Sequence, residues 1–130
     1  MSFIFPEKAN DSLIEGSWGE FKGARFKIAY ATNVRFLRAK SRIEQPFRRQ
    51  IEKGTFDPKE QQNCLIKALA EAILLDWDGV KDSNKQEVLY TREKAEQALR
   101  FDESLREFVM EYSMSLDNFQ SETEEHEGNS

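Results

Sequence analysis

Apolar residues recur along this chain with two distinct periods, and the changes of period mark its elements. Phe26, Ile28 and Tyr30 alternate with polar neighbours, and Ser17–Lys22 precedes them across Gly23-Ala24. Two short runs around a glycine turn predict a β-hairpin that must pack on something larger. From Val34 the period lengthens. Thr32-Asn33 offers an N-cap, and Phe36, Ile43 and Phe47 fall on one side of a helix whose other side carries Arg35, Arg38 and Arg42. Pro46 removes a backbone donor inside that pattern, which predicts either a kink or a second helix opened by the proline. Gly54 ends the segment.

Asp57-Pro58-Lys59-Glu60 places an N-cap acid, a proline at the first helical position and an acid at the third. A helix is predicted from there to about Asp76. Leu65, Ile66, Leu69, Ala72 and Ile73 form its inner face, and its last turn, Leu74 to Trp77, is apolar nearly all round. Gly79 is read as its left-handed cap. After a polar turn, Val88-Leu89-Tyr90 reads as a short extended piece that pairs with Val80. Thr91 caps a brief helix with Ala95, Ala98 and Leu99 inside. A final helix from Asp102 or Glu103 aligns Leu105, Phe108, Val109, Tyr112, Leu116 and Phe119 within about a 100° arc. Met110 and Met114 form a smaller strip on its other side.

The pattern thus predicts a mainly α fold: an N-terminal arm over residues 1–14, one helical domain with a small N-terminal β-hairpin over 15–119, and a disordered acidic tail over 120–130. The tail has no apolar anchor after Phe119. Charge sharpens that division. The net charge of -5 comes from 24 acids and 19 bases. Five of those acids (Asp117, Glu122, Glu124, Glu125 and Glu127) lie beyond residue 116 with no Lys or Arg, so the preceding residues balance. Lys22 to Lys53 is basic, with Glu44 and Glu52 its only acids. At 130 residues and 15.2 kDa, the length fits a single domain. One cysteine, no signal-peptide pattern and no apolar run of about 20 residues predict a cytosolic chain that does not span a membrane.

Candidate chemistry is sparse. The single histidine, His126, stands in the acidic tail, which removes Ser-His and Cys-His pairs and nearly all zinc sites. Cys64 is a lone helical cysteine among structural neighbours. Gly16, Gly19 and Gly23 match no phosphate-binding fingerprint. No catalytic residue, metal site or cofactor is expected; the chain reads as a binding protein. Its candidate partner-binding residues are Arg35, Arg38, Arg42, Arg48 and Arg49 on the basic stretch, with Met110, Met114 and Phe119 on the last helix. The arginines admit three readings: a solvated face, a dock for acidic protein segments, or a phosphate-contacting stripe over residues 35–53 of a small nucleic-acid-binding regulator.

Several pieces in order carry a resemblance. They are Glu15-Gly16-Ser17-Trp18, Gly23 to Ala29, Asn33, Leu74-Leu75-Asp76-Trp77-Asp78-Gly79-Val80, Tyr90-Thr91, Phe108 to Ser113, and Asp117-Asn118-Phe119. Across residues 15–119 the chain resembles the tail assembly chaperones of long-tailed bacteriophages, in their short, non-frameshifted form. The resemblance implies a non-catalytic protein of the host cytoplasm that binds the tape measure protein while tail tube subunits assemble around it. It implies a longer translation product that recruits the tube protein, and absence from the mature virion. Repeated contacts along a long helical partner favour a homo-oligomer.

Overall fold

In the computed structural model, which describes residues 3–120, β1 (Ser17–Phe21) and β2 (Ala24–Ile28) form the expected antiparallel hairpin. Its turn is Lys22-Gly23, both with positive φ, a two-residue connection whose twist matches the flanking strands. Ala24, Phe26 and Ile28 are buried while Arg25 stays in solvent, so one face of the sheet meets the core. Arg25 lies over the Trp18 ring at 4.9 Å on the outer face.

A third strand was not anticipated. The helix opened by Asp57, α4, spans Pro58–Ala72, and Leu74–Asp78 forms β3, antiparallel to β2 in a sheet of order β1-β2-β3. The predicted helix to Asp76 is therefore four residues too long. The register explains the misreading. It shifts between Lys27 and Ile28, which face Asp76 and Leu74, leaving Leu75 as the extra residue of a bulge. The bulge turns both Leu74 and Trp77 inward, and that three-residue spacing imitates a helical face. Gly79, at φ 79°, follows a strand rather than capping a helix.

The remaining helices are α1 (Ser12–Glu15), α2 (Val34–Glu44), α3 (Arg48–Lys53), α5 (Arg92–Phe101) and α6 (Glu103–Met114). Of these, α6 packs on β1 and β2, while α2 and α5 pack on α4. Pro46 sits in a 3-10 turn, Gln45–Phe47, that separates α2 from α3. The predicted caps Asn33, Asp57 and Thr91 accept from the backbone N–H groups of Phe36, Lys59 and Lys94, and Asp102, where the last helix was expected to begin, accepts from that of Leu105. Ile28, Ile66, Leu69, Ile73, Leu74, Trp77, Leu99, Leu105 and Val109 form the core. Val88 N–H donates to the Val80 carbonyl at 2.8 Å, the pairing expected for that piece.

Both chain ends depart from expectation. The end of the presumed arm, residues 12–14, lies in helix Ser12–Glu15 and is tethered: Asn10 Nδ2 and Ser12 Oγ donate to the Phe119 carbonyl at 2.5 and 2.7 Å. The final helix stops at Met114 because Ser115 is extended, and a 3-10 turn, Leu116–Phe119, follows. Asn118 Nδ2 donates at 3.0 Å to the Tyr112 carbonyl, which also accepts from the Ser115 N–H, so both close the helix end. Leu116, expected inside, is therefore exposed, and Phe119 is buried between Tyr30 and Tyr112. The acidic tail read as disordered lies, beyond Gln120, outside the described residues.

Tyr112 fastens α6 to the hairpin. Its hydroxyl meets Ser17 Oγ at 2.8 Å and donates to the Trp18 carbonyl at 3.1 Å, while its ring covers Gly19. A Cβ at Gly19 would stand 2.5 Å from Tyr112 Cε2. Gly19→Ala is expected to cost about 1–3 kcal/mol by overpacking, read as a lower urea midpoint with an unchanged slope. Asp102 supplies a pH test. The Leu105 N–H, then the Ser104 hydroxyl, hold its carboxyl below its usual range. A depressed folded value stabilises the fold above the unfolded value near 3.9 and is lost as pH falls through the folded one. Asp102→Asn, which keeps a capping oxygen, should flatten the loss of stability below about pH 4 in melts at pH 7 and pH 3.

Candidate partner-binding surface

Helix α2 rests on α4 through Ala39, with Phe36 and Ile43 half-buried beside it. Its arginines therefore flank the contact, and the structure divides the five candidates among different surroundings. Arg42 reaches across to Glu71 of α4, which also takes Arg92 at 3.5 Å. The hydrogen bond that Arg42 donates to Glu71, then the carboxylate's charge, raises the Arg42 pKa above its ordinary value. Arg35 lines a recess of about 490 Å³ with Lys27, Glu71, Leu75, Tyr90 and Arg92. Arg38 is exposed. Arg48 donates to Gln45 Oε1 at 2.8 Å on the other side of the 3-10 turn, and Arg49 is exposed on α3. Arg35, Arg38 and Arg42 share one side of α2, and the 3-10 turn sets Arg48 and Arg49 on the next helix.

Between α2 and α3 lies an open groove of about 370 Å³ lined by Leu37, Lys40, Ser41, Glu44, Arg48, Ile51 and Glu52. Leu37 is 52% and Ile51 40% exposed, an apolar pair set across the groove. A neighbouring groove of about 690 Å³ continues past Ile51 to Phe56, Pro58 and Leu65. Phe47 packs on Phe56 at 5.1 Å between ring centres and braces the turn that sets the groove's shape. Charges on the rim are of both signs, and Lys40 pairs with Glu44 at 3.0 Å.

The last-helix candidates separate too. Met110 packs on the core and Met114 is exposed, so they make no common strip. Phe119 is a core residue, 1% exposed, and its side chain is not offered to a partner. Phe3, Ile4 and Phe5 are each more than 80% exposed. Leu37, Ile51, Glu71 and Arg92 escaped the sequence reading. Leu37 lies off the inner face of α2, a signal periodicity contains; the meeting of Glu71 and Arg92 is tertiary and leaves none.

The Glu71 contact is expected to be modest, because both guanidiniums are more than half exposed. A double-mutant cycle on Arg42→Ala and Glu71→Ala should give a small favourable coupling at low salt that shrinks in 0.5 M NaCl.

Comparison with known proteins gives one family. The profile described as YdaY prophage protein matches residues 31–129, and the chain belongs to that family. No curated protein and no solved structure matches it.

Proposed function

We propose that this phage-derived protein works without catalysis, as a tail assembly chaperone that binds the tape measure protein in the host cytoplasm. The observation that best supports the reading is the open groove between α2 and α3, with Leu37 and Ile51 exposed across it. Such a groove suits the apolar stripe of an amphipathic helix, engaged at spacings of three and four residues. A rim of both signs, Lys40 and Arg48 with Glu44 and Glu52, suits a partner that also carries both signs.

A tape measure is a very long helical protein whose apolar stripes invite aggregation until the tube encloses it. Holding it needs many modest contacts, and copies of the chaperone arrayed along it gain avidity. A homo-oligomer in the cell, a longer translation product that recruits the tube protein, and absence from the finished virion belong to the same reading. Cys64, the one thiol, is buried, and burial, then Glu44 and Glu60, raise its pKa, which speaks against a nucleophile. The pairing of Arg42 with Glu71, and the 3-10 turn that breaks the basic stretch ahead of Arg48, likewise favour a protein partner over nucleic acid.

The test is co-expression with the long helical tape measure protein of the same phage, followed by pull-down and a solubility assay. The wild-type chain is expected to raise the soluble partner several-fold and to co-purify with it. Leu37→Asp combined with Ile51→Asp should weaken capture about tenfold, equivalent to about 1.4 kcal/mol. The same pair should barely move the chaperone's own unfolding midpoint, because both side chains are already in solvent. A partner equally soluble alone, with nothing co-purifying, would refute the proposal.

A further inference from the structure

The chain carries two apolar surfaces that match and do not meet within one molecule. Phe3, Ile4 and Phe5 are the three most exposed large apolar side chains among the described residues. The concave counterpart is the pair of grooves beside α3. One presents Leu37 and Ile51, the other Ile51, Phe56 and Leu65, and Ile51 joins them. Leu37 and Ile51 stay open while the arm of the same chain stands in solvent.

The arm has a form that suits a double recess. Phe3 to Phe5 has no regular secondary structure, and Pro6 keeps Phe5 out of the helical region. In an extended segment Phe3 and Phe5 point to one side, about 7 Å apart. Glu7 and Lys8 follow, one charge of each sign, and the rim offers Lys40 and Arg48 with Glu44 and Glu52. Asn10 is already held by the Phe119 carbonyl, so only the residues ahead of it lose freedom on docking.

Buried area sets the stoichiometry. Covering two phenylalanines and an isoleucine removes roughly 450 Å² of their own surface, and about as much of the groove. One docked arm therefore buries about 900 Å², short of the ~1,200 Å² at which stable interfaces begin. Two arms exchanged reciprocally bury about 1,800 Å², within the standard size.

We propose that two copies of this chain pair by exchanging arms, with Phe3 and Phe5 of each seated in the α2–α3 groove of the other and its continuation past Ile51. A two-fold pair closes on itself, so both arms and both grooves are covered at once. The contact does not rest on the tail-assembly reading. On that reading, the arm is the occupant that a tape measure helix displaces, and it covers the groove until then.

Sedimentation of the full chain, of two variants and of their mixture tests the exchange. One variant, Phe3→Ser with Ile4→Ser and Phe5→Ser, removes the arm's apolar side chains. The other, Leu37→Asp with Ile51→Asp, spoils the groove. Both alter side chains already in solvent, so both keep the fold. The wild-type chain is expected to sediment as a dimer at about 50 μM, and each variant alone to dissociate at least about tenfold more readily. Mixed in equal amounts, the variants should regain part of the association, because one intact arm then meets one intact groove. A monomeric wild type, an arm variant as dimeric as wild type, or a mixture no more associated than either variant alone would overturn the proposal. A monomer whose Leu37 and Ile51 amide resonances shift on arm substitution would overturn it in favour of an arm folded onto its own groove. None of these measurements involves a tape measure, so failure here and failure of capture are separate results.

Discussion

Everything in this fold depends on how five residues, Ala29 to Asn33, satisfy their polar groups inside the core. The chain leaves the central strand there without a partner strand, and a buried backbone group left unpaired costs about 1–3 kcal/mol. Each bond goes to a different element. Ala29 N–H donates to Ile73 at the end of α4, Tyr30 N–H to Leu13 in α1, and Ala31 N–H to Ser113 in α6. Asn33, 5% exposed, caps α2 through its oxygen and donates through its amide to Tyr30 and, more weakly at 3.4 Å, to Ala72. Satisfying one connection thereby fixes where α1, α2, α4 and α6 meet the sheet.

The small sheet depends on that arrangement in turn, since three short strands need a covered face to be stable. Aromatic side chains cover it in a connected set: Phe21 stacks on Phe108, and Phe26 meets both Phe108 and Trp77 edge-on. The outer strands are also fastened through their polar groups. Tyr90 donates to the Leu74 carbonyl at 2.6 Å, Trp77 Nε1 to Val88, and Tyr112 to Trp18. Short outer strands whose carbonyls are taken by tyrosines offer a poor template for strand addition, which leaves helical surfaces as the natural place for a partner.

The local grammar of the chain was legible because its signals are local. Asn33, Asp57, Thr91 and Asp102 each cap a helix through their own side chain, and Lys22-Gly23 turns the hairpin through its own dihedrals. The failures lie where tertiary context decides. Leu74 to Asp78 has no breaker ahead of it, and a bulge gives its inward residues a helical spacing. Leu116 fits the α6 arc and is nonetheless turned out, because an extended Ser115 and the Asn118 bond end the helix earlier. At the surface, sequence grouped five arginines by proximity along the chain. Helix α2 keeps Arg35, Arg38 and Arg42 on one side, and the 3-10 turn at Pro46 carries Arg48 and Arg49 onto another helix.

This separation of framework from surface has a functional consequence. The residues that carry the resemblance to tail assembly chaperones include Ser17, Trp18, Leu74, Trp77, Tyr90, Tyr112, Asn118 and Phe119, and the contacts above use them to hold the sheet and helices together. None of them lines the α2–α3 groove or touches Leu37 and Ile51 there. Substitution in the framework is costly because packing and buried bonds fail together, whereas exposed groove positions change with little effect on stability. A scaffold built this way can change its exposed groove while keeping its fold. On the proposed reading, that would let a chaperone alter what it binds without rebuilding its core.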